Sequence, residues 1–174
     1  MIIRIPFLSA LLAMTLAASN PKVTVTDVDD RTLSTGDGHV TTMVLTTRQE
    51  AYKARLVGDR TPLHCLGDPR FRMITVIEFP KSTSRPMRYL LTKLVHSRVN
   101  AEAEHLKARY LEKNLTVDPH QDVHVVVDFE GEIARQLGVN DSGAFRVFVF
   151  GPDGALRGQW STVPDAKELD RVLQ

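Results

Sequence analysis

The 174-residue chain predicts an α/β protein: a central mixed β-sheet flanked by helices, with a β-hairpin extension on its N-terminal side. Three observations carry this. Short β-branched runs (VTTMVLTT, RMITVIEF, VHVVV, FRVFVF) are bounded by Gly, Pro and Asp in the manner of strands. Between them lie segments whose apolar residues recur every three or four positions, as helices require. The 43% apolar content, against 25% charged residues, is enough to close a core and excludes a disordered polymer. The length suits one domain, which we place at residues 20–174.

Taken in order, Val23, Val25 and Val28 alternate with polar residues, predicting a strand, a turn near Asp29-Asp30 and a second short strand. Gly36-Asp37-Gly38 turns the chain into VTTMVLTT, a buried strand by its β-branching. Ala51, Ala54, Arg55 and Val57 share a helical face that ends at Gly58. Pro62, Gly67 and Pro69 punctuate a loop. Met73 to Phe79, stopped by Pro80, predicts a central strand covered on both faces. From Ser84 to Leu115 the residues Met87, Leu91, Val95, Val99, Ala103, Leu106 and Tyr110 keep helical spacing. That segment is long for one globular helix and predicts a bend or break near Asn100. VHVVVD (123–128) is a strand, and Glu130 to Leu137 a short helix closed by Gly138. Phe145 to Phe150 is a strand, and Gly151-Pro152-Asp153-Gly154 a tight turn into an edge strand at Ala155 to Ser161. Val163 to Leu173 is a helix with Pro164 in its first turn and Leu169, Val172 and Leu173 on its apolar face.

Residues 1–19 differ from the rest. Arg4 is their one charge, followed by an apolar run from Ile5 to Leu16 and the small residues Ala17, Ala18 and Ser19. This is the pattern of a secretory signal peptide, and its apolar run is shorter than the about 20 residues of a membrane span. We therefore expect a periplasmic or secreted protein with no membrane span after cleavage. Near-neutral charge, 22 Lys+Arg against 21 Asp+Glu, excludes a general nucleic-acid binder. Locally, residues 81–115 hold eight Lys/Arg against three Glu, while 117–174 hold ten acidic residues against five basic. That asymmetry reads either as a basic face for an acidic partner or as a solvated helix beside a compensating acidic half.

The order of elements and three phrases resemble the thioredoxin-like superfamily, in particular its secreted thiol-disulfide reductase and peroxiredoxin-like branch. VTVTDVDDRTLS is similar to its leading hairpin, VVVDFEGEIARQLGV (125–139) to the segment before its core hairpin, and FRVFVFGPDGALRGQW (145–160) to that hairpin. The resemblance covers roughly residues 22–174. It implies a Cys-x-x-Cys on the first turn of the helix after MVLTT, where a helix N-terminus lowers the thiol pKa. Here that stretch reads Thr46, Thr47, Arg48, Gln49, Glu50 and Ala51, with no sulfur. It also implies a cis-proline before the core hairpin, where this chain has Ala144 or Phe145. A cis peptide without proline costs about 2.5–4 kcal/mol, so the loop is expected trans. Loss of both devices points away from dithiol exchange.

Three sets of candidate residues remain. Thr46, Thr47, Arg48, Gln49 and Glu50 occupy the lost active site and, with Ala144 and Phe145, form a candidate peptide-binding edge; Thr47 and Glu50 also fit a plain capping box. Cys65 is the sole cysteine, beside His64; it reads as a one-cysteine redox site, an intermolecular disulfide or a buried small hydrophobe. Asp118, His120, Asp122 and His124 alternate at spacing two, which in an extended segment offers a metal two imidazoles and two carboxylates; the other reading is a polar strand-entry loop. Trp160 is expected to pack on the last helix. The leading expectation is an exported thioredoxin-fold module without redox chemistry or cofactor that binds a protein or peptide of the cell envelope. The alternatives are a Cys65 redox or peroxiredoxin-like enzyme, and a metal binder through His120, Asp122 and His124.

Overall fold

The structure, a computed structural model, describes residues 22–141 and 143–174; the expected signal segment at 1–19 lies outside the described residues. Thr24–Thr26 (β1) and Thr32–Ser34 (β2) form the expected antiparallel hairpin. Asp27 ties its turn, its carboxylate accepting the N–H groups of Asp29 and Arg31 at 3.0 and 2.9 Å and the Arg31 Nε–H at 2.7 Å. Val40–Thr47 (β3) follows and is buried at every residue but the last. Gly36, which precedes it at φ +77°, packs so closely on the later Asp153-Gly154 turn that a Cβ would meet the Asp153 carbonyl at 3.0 Å. Both facts demand glycine there.

The main sheet has the strand order β5-β4-β3-β6-β7. Phe71–Glu78 (β4) runs parallel to β3, and Val123–Asp128 (β5) parallel to β4. Arg146–Phe150 (β6) runs against β3, and Leu156–Trp160 (β7) against β6. Ala51–Arg60 (α1) and Arg85–Glu112 (α2) are the crossovers β3-α1-β4 and β4-α2-β5. Right-handed crossovers stepping the same way along a sheet place both helices on one face. Alternation along β3 sends Met43 and Leu45 to the opposite face, against Ile74, Val76, Phe148 and the hairpin's Val25 and Leu33. It sends Val44 to the helical face, with Ala54 and Val57 of α1 and the Leu169 and Leu173 of Ala166–Leu173 (α4). Glu132–Gln136 (α3) contributes Ile133 and Ala134 to the hairpin-side core, and Trp160 packs with the α4 cluster.

Four expectations are corrected. The break near Asn100 is absent, and Arg85–Glu112 is one helix of 28 residues. Asn100 is exposed, and Val95, Val99, Ala103 and Tyr110 carry one buried stripe past it. The first turns of α2 do not share that stripe: Met87 is 47% exposed. Secondly, β4 is buried on one face only, with Ile74 and Val76 inside and Met73, Thr75 and Ile77 half-buried. Thirdly, Pro164 precedes the last helix. Asp165 is its N-cap, closing a capping box with Glu168 through bonds of 2.9 and 3.0 Å. Fourthly, α1 continues through Gly58 to Arg60, because Thr61 closes the last turn, its N–H on the carbonyls of Val57 and Gly58 and its Oγ1–H on Val57.

Urea denaturation of two variant pairs checks these corrections. Asn100→Ala should stabilise the protein by about 0.5 kcal/mol through helix propensity, and Asn100→Pro should cost about 3 kcal/mol or more; a broken helix would make both nearly neutral. Asp165→Ala should cost about 1 kcal/mol, whereas Thr47→Ala removes no cap.

Candidate functional site

The carboxyl ends of the parallel strands carry the candidate edge. β3 ends at Thr47, and a turn closed by the Glu50 N–H on the Thr47 carbonyl (3.1 Å) leads into α1. The expected Thr47–Glu50 capping box does not form. Glu50 itself stands at the N-cap without a side-chain cap bond, and its carboxylate is drawn instead to the Lys53 ammonium. Thr46 is buried and Thr47 half-buried, while Arg48 and Gln49 are exposed. The fold brings the second segment to this turn: the Gly143 N–H donates to the Glu78 carboxylate at 2.7 Å, and a Cβ on Gly143 would stand 3.3 Å from Thr47 Cγ2. Ala144 is half-buried beside it. Phe145 lies in the core, 4% exposed, under the Lys53 ammonium at 5.3 Å, so its ring braces the site from beneath rather than meeting a partner. No cis peptide bond occurs among the described residues.

Two acids at this edge escaped the sequence reading. Register sets Thr47 of β3, Glu78 of β4 and Asp128 of β5 side by side. Asp128 is structural: its carboxylate accepts the N–H groups of Glu130, Glu132 and Ile133 at 3.0, 3.2 and 2.9 Å and so caps α3. Glu78 is 6% exposed. Its Oε2 takes the Gly143 N–H, and its Oε1 is buried with no hydrogen-bond partner among the described residues. Such an orphaned acceptor costs about 1–3 kcal/mol, more when charged, and calls for a reason. The one signal in the sequence was an acid ending an otherwise apolar strand.

Cys65 sits at the far end of α1 from this edge, in the short 3-10 turn Leu63–Cys65. It is buried among β3, α1 and α4. Burial, reinforced by the carboxylates of Asp170 and Asp68, pushes its thiol up to about 11, leaving about one part in ten thousand as thiolate at neutral pH. His64 points elsewhere. Its exposed ring lies edge-on to Phe71 at 5.9 Å, with Nδ1 4.0 Å from Asp170. The two residues do not form a nucleophile–base pair.

The four alternating metal candidates do not converge. Pro119–Asp122 is a 3-10 turn, whose period of three breaks the spacing-two alignment. Asp118 caps that turn by accepting the His120 N–H at 3.0 Å. The Asp122 carboxylate accepts the Tyr110 hydroxyl and the Gly67 N–H. His124 turns to the hairpin, Nδ1 3.3 Å from Asp27, and burial, aided by the Arg31 charge, lowers its pKa. Among the described residues no group of three His, Cys, Asp or Glu is placed to hold a metal. The basic stretch is also partly committed: Arg88 pairs with Glu130, Arg109 donates to the carbonyls of Gly58 and Thr61, and Lys113 to that of Leu66.

Solved structures share this fold. They include the exposed lipoprotein thioredoxin of Streptococcus pneumoniae strain TIGR4 (TM-score 0.53, 12% identity, 87% of this chain and 97% of that one). DsbF of MTB, in mixed oxidised and reduced forms, matches with a TM-score of 0.53 and 12% identity over 88% of this chain and 94% of the other. A thioredoxin-family thiol:disulfide interchange protein from Chlorobium tepidum TLS matches with a TM-score of 0.51 and 13% identity, over 88% and 91%. The chain therefore has a thioredoxin-like fold, as its resemblance implied. No family model and no curated protein matches its sequence.

With a buried, protonated thiol, Cys65 should react with a disulfide-forming probe at neutral pH only as fast as the chain opens, and stoichiometrically in denaturant. Thiol titration under both conditions reads this, and a rapid native reaction would count against the burial argument.

Proposed function

We propose that the chain is an exported thioredoxin-fold domain that performs no dithiol exchange and binds an extended segment of a protein partner in the cell envelope at the carboxyl ends of its parallel strands. The observation that carries this reading is the make-up of that edge. Where exchange needs an accessible thiolate and a second sulfur within disulfide reach, Thr47, Arg48, Gln49 and Glu50 form the turn. The chain's single cysteine is buried at the other end of α1.

The edge keeps equipment for binding. Arg48 presents a planar fork of donors suited to carbonyls and carboxylates, and Gln49 stands exposed next to it. The first turns of α2, which start from the same edge, expose Met87, Tyr89 and Leu90 at 47%, 61% and 57%, an apolar shelf beside the polar groups. Extended peptides bind where backbone hydrogen bonding and neighbouring apolar contact combine in this way. Export is supported by the signal pattern of residues 1–19 and by the exposed lipoprotein nature of the pneumococcal neighbour. Among the described residues no helix is long and apolar enough to cross a membrane.

Two measurements test the reading. The purified protein should reduce insulin disulfides no faster than free thiol does, and turnover that survives alkylation of Cys65 would sink it. Once a partner is captured by pull-down, Arg48→Ala should weaken binding by about 1.5–3 kcal/mol, the range for charged hydrogen bonds, with little change in Tm. Wild-type affinity in that variant, measured by calorimetry, moves the site elsewhere.

A further inference from the structure

The two faces of β4 are unequally covered although strands flank both its edges. Ile74 and Val76 are 0% exposed on the hairpin side, whereas Met73, Thr75 and Ile77 are half-buried on the helical side. The cause is a cleft of about 500 Å³ between α1 and α2, floored by those three residues and by Val125 of β5. Its volume lies within the roughly 300–1,000 Å³ of small-ligand sites.

The seam between the two helices is a ladder of polar contacts. Arg109 donates to the carbonyls of Gly58 and Thr61, His105 Nε2 lies 3.2 Å from Asp59, and Glu102 accepts from Arg55 Nη2 at 2.7 Å. On α2 the rungs fall three or four residues apart, at Arg109, His105 and Glu102, each nearer the carboxyl ends of the strands. One further turn along α2 carries Arg98, which lines the cleft together with Arg48 and Tyr52. Here the pattern of opposite partners fails, because both sides supply arginine. None of the ion pairs on these helices among the described residues engages Arg48 or Arg98. The other charged residues that line the cleft are already paired, Arg55 with Glu102 and Arg72 with Asp37, and the apolar part of the rim includes Tyr52 and Leu94, 61% and 42% exposed. Two unanswered guanidiniums over an apolar slot call for an anion with an apolar body: the charge answers both cations, and the body removes the floor from water.

We infer that this cleft binds a single-chain aliphatic carboxylate, its alkyl chain along Met73, Thr75 and Ile77 and its carboxylate between Arg48 and Arg98. A compact anion would leave the floor wet. A neutral hydrocarbon would leave the arginines unanswered. A peptide backbone would bring its amide groups to a floor whose polar atoms are few, the hydroxyls of Thr42 and Thr75, at a cost. The inference does not rest on the partner reading.

Titration of the full chain with sodium dodecanoate below its micellar concentration, followed by calorimetry and by ¹³C NMR of the labelled carboxylate, tests it. Saturable one-to-one binding in the micromolar range is expected, with dodecanol at least about tenfold weaker for want of charge. Ile77→Trp, which fills the floor, should lower dodecanoate affinity at least about tenfold; Thr75→Phe makes the same test if Ile77→Trp does not fold. Arg98→Gln should weaken dodecanoate about tenfold while leaving dodecanol unchanged, a split that general loss of structure would not produce. Absence of saturable binding, equal affinity for dodecanol, or affinity indifferent to a filled floor would each overturn the inference. A chain that captures its protein partner but ignores dodecanoate overturns this inference alone and leaves the edge reading intact.

Discussion

β3 is hydrogen-bonded on both edges and buried on both faces, and the positions of the other elements follow from that one constraint. Its backbone has no water to bond, so β4 must pair on one side and β6 on the other along its length. Its side chains divide between two cores, Met43 and Leu45 in one and Val44 in the other. A slip of one residue would exchange the two sets and place Val44 with either Thr42 or Thr46 where Met43 and Leu45 now pack, so the register is strongly held.

That register builds the edge. The parallel ladder sets Glu78 opposite Thr47, and the antiparallel one sets Arg146 opposite Leu45. The loop entering β6 consequently arrives over the end of β3, where the Gly143 N–H finds the Glu78 carboxylate. A residue with a Cβ at 143 would press on Thr47 at 3.3 Å and would also need a φ of +80°, so the close approach depends on glycine. A buried carboxylate with one oxygen left over is a poor way to stabilise a strand end. It stands at the carboxyl ends of the strands, beside the turn that leads into α1.

The helical face follows from handedness. Two crossovers of one hand put α1 and α2 side by side over β4, and the longer helix is anchored by small side chains, Val99 and Ala103, on β5. The contacts that join the helices are polar and lie along their outer seam, so they hold the pair together without filling the space beneath. The half-covered floor of β4 and the cleft above it come from this division, in which a peripheral apolar contact and a polar seam leave the middle open.

Much of the strand framework was legible because a β-branched run bounded by glycine or proline reports burial through purely local chemistry; VTTMVLTT and FRVFVF needed no partner to be read. The resemblance carried by three phrases extended this to the thioredoxin-like topology and to the meeting of residues 46–50 with the loop before β6. Where local signals were ambiguous, the long-range contacts decided. Pro164 suits a first helical turn as well as the position before a cap, and the Asp165–Glu168 box chose the latter. The length of α2 suggested a break, yet its stripe of Val95, Val99 and Ala103 and its bonds to α1 keep it whole. Alternation at 118–124 suggested one ligand face, but a 3-10 turn and separate partners for Asp122 and His124 dispersed it. By itself the sequence determined which segments become strands and helices, and that no sulfur stands at the β3–α1 turn. Only the tertiary structure decided that Glu78 is buried with a spare acceptor, that Cys65 is buried near Asp170, and that Arg48 and Arg98 share a cleft. These are meetings of residues tens of positions apart, set by how layers pack, and a local pattern carries no record of what lies across the layer.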